Sequence, residues 1–533
     1  NLYLPESLRI ADQGFERPIR VRDLMNHTPG FEDRALGQLF ERDPKRVRPL
    51  ETWLRQERPR RVRAAGTLVG YSNFGAALAG EAVAEVTGTP FEVLAAQDIT
   101  GPLAMTRTSF REPRPARRGL PAPLSAVLSG DLSQGYRWTS EGLRSRSFEY
   151  AGQAAPALAA SSTAGDMARF MLMLLGNGTL DGAAIYGPAT SAAFSTPQPA
   201  PVGVPAWRHG LREMPLPGGV FGLGHQGRTL TFSSSMVLAP AARLGVFVAT
   251  NTSTGGPLAD TLAGRIVGRF YAPPPGPPHP GDNRLVGDRR AFDGVYLTDR
   301  RAWGGLEAFV DRLAGEARVS VTPEGRLAVA NDGETRRYAP DGPPSAGRFF
   351  DEDGVHRLVF QFRRGRAMRF FSPSGDLAFE RIGPLRERRT LLILTVLTAL
   401  ASLAAVADVA ARARRDFRES SSQHRAGLIQ TTQAVLWILA IGLFAVWAMN
   451  AGDPAAVMYR WPGWPLIVAS ACALVAGLMA VFTPILLPLV WRGGRRVDSW
   501  TGARKARFTL TALLFLAYAA LLFTWGGLEP WSA

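Results

Sequence analysis

Four long apolar runs crowd the C-terminal end of this 533-residue chain, near residues 390–410, 431–449, 465–490 and 508–526. Each is close to the ~20 residues a helix needs to cross the hydrocarbon core of a bilayer. Everything before about Leu391 has ordinary globular alternation. The chain therefore divides into a soluble part and a four-helix membrane part, with the lipid bilayer as one partner. The loop between the first two runs carries Arg412, Arg414, Arg415, Arg418 and Arg425 against Asp416 and Glu419. The loop between the last two carries Arg492, Arg495, Arg496, Arg504, Lys505 and Arg507 against Asp498, while the middle loop has only Arg460 against Asp453. Arginine-rich loops stay in the cytoplasm, so the soluble part is expected on the extracytoplasmic side of a cell membrane. Arg386, Arg388 and Arg389 pull the other way, a bias that a large exported domain can override. Asp408 is the sole acidic residue in the runs and lies near an end, so anchoring is the economical role for these helices.

The net charge of +16 raises the question of nucleic acid. The basic residues are interleaved with acidic ones or gathered beside the apolar runs, which is not a nucleic-acid footprint. Only Lys45 and Lys505 are lysines, so a catalytic lysine has two places to be. The single Cys472 lies within an apolar run and excludes a disulfide framework. The six histidines show no pair at the spacing that puts two imidazoles on one helical face, so neither a metal nor another cofactor is expected. The opening residues, NLYLPESLRI, read like mid-domain sequence, and the expectation is that an N-terminal portion is missing.

Residues 1–270 read as one α/β (α+β) domain, an antiparallel sheet flanked by helices. IRVRDLMNHTPGF gives a short helix closed by the turn Thr28-Pro29-Gly30. Asn73 is placed to cap a helix that Gly88 ends, and Pro90 opens another, PFEVLAAQDI. FSSSMVLAP and RLGVFVATN form an expected hairpin, with LADTLAGRIVGRF as a helix on that sheet. Residues 271–285 are a proline-rich linker. Residues 286–384 carry short alternating runs between Pro-Glu-Gly, Asn-Asp-Gly and Pro-Ser-Gly turns, a small all-β domain with the pattern of a barrel. Residues 385–533 are the transmembrane region.

The stretch GYSNFG, residues 70–75, sets a Tyr, a Ser and an Asn side by side. A nucleophile elbow, Gly-x-Ser-x-Gly, needs a second glycine where Phe74 stands, so Ser72 is not read as a nucleophile. Tyr71 and Asn73 fit a different scheme, in which a phenolate replaces histidine as general base in serine acyl transfer. A second element follows as His225-Gln226-Gly227, ahead of the hairpin. His27 in NHTPG reads as a loop-stabilising hydrogen-bonder, and Ser162 and Thr163 as caps of the helix DMARFMLML.

In this ordered set the chain resembles the superfamily of serine β-lactamases (class C) and penicillin-binding DD-peptidases, with related esterases. The resemblance covers residues 1–270 through YLP, IRVRDLMNHTPG, Tyr71-Ser72-Asn73, ITGPLAMTRTSF, SSTAGDMARFMLMLL and GHQG with its hairpin ending at Asn251. The family's elements are Ser-x-x-Lys, Ser-Asp-Asn and Lys-Thr-Gly. In the branch resembled here the second is Tyr-x-Asn and the third can be His-x-Gly. The first is absent, since Arg42 stands three residues before Lys45 and Gly502 three before Lys505. The resemblance implies a membrane-anchored serine hydrolase that acts by acyl-enzyme on amide or ester bonds, whose nucleophile and lysine are expected upstream of this chain, the alternative being a degenerate, inactive homologue. On that pattern Tyr71 is the base or proton relay, Asn73 holds the substrate amide or the lysine, and His225 orients a substrate carboxylate or Tyr71. Gly227 admits the substrate backbone, and the N–H of Arg228 contributes to the oxyanion site. A non-catalytic membrane sensor of cell-wall fragments or β-lactams is the rival reading.

Overall fold

The computed structural model describes residues 1–274, 276–412, 419–492 and 499–532, grouped in two compact units. Residues 1–300 with 317–381 form the first, and residues 301–316 with 382–533 the second.

In the first unit, helices α1 (Val21–Met25), α2 (Asn73–Thr87) and α3 (Ala164–Leu175) precede a five-stranded antiparallel sheet. Its strands β1 (Trp207–Arg208), β2 (Leu211–Pro215), β3 (Phe221–Arg228), β4 (Ser233–Ala239) and β5 (Leu244–Thr250) lie side by side in chain order, and α4 (Gly256–Phe270) follows. The period-2 alternation of β4 shows how the layers form. Val237 and Ala239 pack with Ala263 and Val267 of α4, whereas Met236 and Leu238 pack with Met171 of α3. One strand thereby buries both of its faces, at about 1.5–3 kcal/mol for each large apolar side chain. The expected hairpin is β4–β5, in register from Ser233↔Thr250 to Ala239↔Leu244.

Two local readings need correction. The cap of α2 is Ser72, whose Oγ accepts from Gly75 N at 3.0 Å, and Asn73 is the first helical residue. Either side chain can cap, but Ser72 has the extended backbone that a cap requires. The helix begun at Pro90 stays α-helical only through Leu94 and is π-helical over Ala95–Thr100. Gly88 does close α2, in the left-handed conformation, and Thr163 caps α3.

Within the expected linker, Pro275 lies outside the described residues, and its last residues fold as the short helix Asn283–Gly287, capped by Asp282. Eight antiparallel strands then close a barrel: β6 (Gly294–Thr298), β7 (Glu316–Val321), β8 (Leu327–Asn331), β9 (Glu334–Pro340), β10 (Arg348–Asp351), β11 (Arg357–Arg363), β12 (Arg366–Phe371) and β13 (Ala378–Arg381). Phe292, Tyr296, Phe349, Phe360 and Phe370 form its core, with edge-to-face ring pairs such as Phe292–Phe349 at 5.4 Å. Arg381 donates to the Tyr296 hydroxyl at 2.7 Å and to the carbonyls of Ala291, Phe292, Asp293 and Ala367, pinning β6 to the barrel's end.

Helix α5 (Gly305–Ala314) interrupts what reads in sequence as an all-β stretch, and it belongs to the second unit. Its Phe309 packs on Phe444 and Trp525. The rest of that unit comprises α6 (Arg388–Arg412), α7 (Ser421–Asn450), α8 (Trp464–Phe482), α9 (Leu487–Arg492) and α10 (Gly502–Trp525). Four segments, Arg388–Val409, Ser421–Asn450, Trp464–Arg492 and Gly502–Ser532, are long and apolar enough to cross a membrane. Helix α7 starts well before the expected residue 431. Ser420 and Gln423 close a capping box, and Gln423, Gln430 and Gln433 are buried by donating to the carbonyls of Val490, Phe508 and Ala476. Amides satisfied this way count as polar in a hydropathy reading yet sit inside the bundle. The third run is broken by a 3-10 turn at Thr483–Leu486, because Pro484 has no N–H for the helix ladder. Of the loop charges invoked above, Arg414, Arg415, Asp416, Arg418, Arg495, Arg496 and Asp498 lie outside the described residues.

Candidate active site

The turn after α1 brings the first pieces together. Gly30 has φ 84°, and a Cβ there would overlap the carbonyl oxygen of Arg63, so the turn Thr28-Pro29-Gly30 needs its glycine. His27, in the left-handed region at φ 53°, is buried, and its Nδ1 accepts from Ser72 N at 3.2 Å. The hydrogen bond fixes the tautomer, with the proton on Nε2. Burial first, then the nearby His225 and Arg300, hold the His27 imidazole down at about 3, so it is neutral at physiological pH. Its role is the loop-stabilising one expected from the sequence.

Tyr71 stacks on this imidazole with ring centroids 4.0 Å apart. The His225 ring approaches Tyr71 at 6.0 Å, and Trp207 stands edge-on to both histidines at 4.6 and 5.9 Å. The two elements recognised in the sequence thus meet around one aromatic cluster. Among the described residues neither the Tyr71 hydroxyl nor the Asn73 amide has a hydrogen-bond partner, the His225 ring meets the backbone of Gln226, and the buried Trp207 Nε1 is unsatisfied.

Strand β3 offers an open edge beside them. Its pairing with β2 ends at Arg212↔Gly224, whereas its pairing with β4 continues to Arg228↔Ser233. His225–Arg228 therefore have a strand partner on one side only, among the described residues. Alternation puts His225 and Gly227 on one face and Gln226 and Arg228 on the other. The side chains of Gln226 and Arg228 both turn to Asp260 of α4, so only the backbone of Arg228 serves the Tyr71 side. Gly227 and Arg228 are exposed at the strand's end.

The fixed cations here are arginines that the sequence reading did not single out. Arg212 is buried, donates to Gln226 Oε1 at 2.6 Å and to the Ser374 carbonyl at 3.0 Å, and lies 3.4 Å from Asp376. Arg300, just past β6 of the barrel, pairs with Asp33 at 2.7 Å and places its guanidinium 4.8 Å from the Tyr71 ring centroid. Burial, then Arg212, lowers the basicity of His225, which makes it a neutral hydrogen-bonding group rather than the cationic alternative. Burial raises the Tyr71 phenol above its ordinary value, and Arg300 is the largest opposing influence. Nothing in the local sequence links Asp33 to Arg300, since the ion pair joins segments 267 residues apart.

The β-lactamase family matches residues 2–268 of this sequence. No curated protein matches it. Similar solved structures include SurE, at 18% identity and TM-score 0.42, covering 68% of this chain and 78% of that one. The octameric penicillin-binding protein homologue from Pyrococcus abyssi is 17% identical with TM-score 0.38, covering 71% and 82%. The D-stereospecific amidohydrolase from Streptomyces sp. is 21% identical with TM-score 0.38, covering 51% and 77%. With half the chain matched, this protein belongs to the β-lactamase family, a family of serine hydrolases.

Proposed function

We propose that the protein is a membrane-anchored serine hydrolase, with its soluble part on the extracytoplasmic side, that cleaves amide or ester bonds through an acyl-enzyme. The observation that carries this reading is the convergence of Tyr71 and His225 beside an open strand edge, with the polar ends of Tyr71 and Asn73 unclaimed by other described residues. No Ser-x-x-Lys occurs in residues 1–533, so the reading requires a serine and a lysine from outside them.

In this scheme Tyr71 Oη takes the proton of the serine hydroxyl as the serine oxygen attacks the carbonyl carbon. The oxyanion is held by the serine's own N–H and the N–H of Arg228 at the end of β3. Tyr71 then returns the proton to the departing amine or alkoxide, and water releases the acyl group. Because burial leaves Tyr71 a phenol in this chain, its service as base depends on the lysine's charge. Asn73 donates from its amide to the substrate or the lysine, and neutral His225 donates to a substrate carboxylate or to Tyr71. Gly227 leaves room for substrate backbone along the strand.

The candidate substrates are peptidoglycan stem peptides, other D-amino-acid peptides, small esters and β-lactams. A neutral His225 in place of a lysine favours esters and peptides over β-lactams. The sensor reading is favoured by one observation, the missing Ser-x-x-Lys, and one experiment separates the two. The protein in its native membranes is exposed to a fluorophosphonate and to a fluorescent penicillin. A hydrolase is labelled covalently at a serine, and Tyr71→Phe slows labelling by about 100-fold or more. Reversible binding with no adduct would reject the hydrolase and leave the sensor.

A further inference from the structure

We propose that Arg300, delivered from the barrel, is the positioning residue for Tyr71, fixing its ring and compensating the negative charge that appears on Oη when the phenol gives up its proton. This rests on the reading of Tyr71 as the proton-handling group.

The placement is built rather than incidental. Arg300 follows strand β6, which pairs with β13 through Tyr296↔Arg381, Leu297↔Glu380 and Thr298↔Phe379. Arg381 ties the Tyr296 hydroxyl down, and Arg300 N donates to Thr298 Oγ1 at 3.2 Å, so the turn that projects the side chain is held from both ends. Asp33 takes one edge of the guanidinium at 2.7 Å, leaving its plane to lie over the phenol ring. A planar guanidinium can satisfy a carboxylate with its edge and a ring with its face at once, which an ammonium does less well. The other charged or titratable groups around Tyr71 are His27 and His225, both neutral, and Arg212 and Asp376, which are paired with each other. Arg300 is a cation in direct contact with the ring, and Asp33 decides how much of its charge the phenol feels.

The bland alternative is that Arg300 only ties the barrel to the turn carrying Asp33. The two differ in sign. The full chain is labelled with [13Cζ]tyrosine in detergent, the Tyr71 signal is assigned by its loss in Tyr71→Phe, and its titration is followed in the parent, Arg300→Gln, Arg300→Lys and Asp33→Asn. A tuning role predicts an upward shift of about one unit for Arg300→Gln, most of it restored in Arg300→Lys, and a downward shift for Asp33→Asn. A tie alone predicts that Arg300→Gln and Asp33→Asn act alike, and shifts of one sign or no shift overturn the proposal. Should Arg300→Gln fail to fold, Asp33→Asn and Arg300→Lys still decide it. Covalent labelling reports on the nucleophile and this titration on the phenol alone, so the two readings can fail separately.

Discussion

Lowering the pH from 7 to 4 should cost the folded state about 3 kcal/mol through His27 alone. The imidazole is buried with Nδ1 accepting from Ser72, and its folded value is held at about 3 against 6.5 for a free histidine. A group whose folded value is depressed is protonated first in the unfolded chain. Its contribution is complete above pH 6.5 and is lost as the pH falls toward 3. Integrating between those values gives a loss of about 2 kcal/mol by pH 5 and about 3 by pH 4. Other buried groups titrate in the same range with the opposite sign. Glu112, pushed up to about 7 by burial, is stabilising when protonated and gains as the pH falls. The measurement must therefore be a difference. His27→Gln keeps a side-chain oxygen for the Ser72 N–H but cannot titrate, and distant carboxylates cancel between the two proteins. Urea unfolding of the full chain in detergent, read by pulse proteolysis at pH 7, 6, 5 and 4, should show the parent losing about 3 kcal/mol more than the variant. Parallel pH curves would refute the assignment of a neutral, Nε2-protonated imidazole behind Tyr71.

Two further changes test the local architecture. Ser72→Ala removes the oxygen that caps α2 and should lower stability by about 1 kcal/mol in urea unfolding, whereas Asn73→Ala, with no hydrogen bond to lose among the described residues, should cost clearly less. Gln433→Leu deletes the donor to the Ala476 carbonyl and the acceptor for Thr483 within the helix bundle, and should reduce resistance to unfolding in SDS by about 0.6–1.7 kcal/mol.

What was legible in the sequence follows from how local its causes are. Gly88 ending α2, the turn at Thr28-Pro29-Gly30, the β4–β5 hairpin and the barrel's alternation are set by residues within a few positions of each other. The Tyr71 and His225 elements were readable because each sits in a short motif, although what brings them to 6.0 Å is the whole sheet. The choice of Ser72 over Asn73 as cap turned on backbone dihedrals that either side chain tolerates. Helix α5 escaped because ten residues of helix between β6 and β7 look like a loop when judged by the strands around them. The early start of α7 escaped because three glutamines read as polar until their acceptors on other helices are known. Arg300 had no signal at all, being one of many arginines and partnered across 267 residues.

That last case bears on what the +16 of the chain means for the cleft. Arginine is so abundant that a positive site would be the naive expectation, yet the two arginines at the Tyr71 cluster are matched by two carboxylates, Arg300 by Asp33 and Arg212 by Asp376. Both histidines are held neutral by burial. The two ion pairs cancel and the histidines add nothing at neutral pH, so the charge of these six groups sums to about zero. An anion entering beside Tyr71 must then compete with an existing carboxylate for each guanidinium, whereas a neutral carbonyl needs only the donors that are free. Net charge fixes how the protein meets water and membrane, but the pairing of individual charges fixes what the cleft attracts.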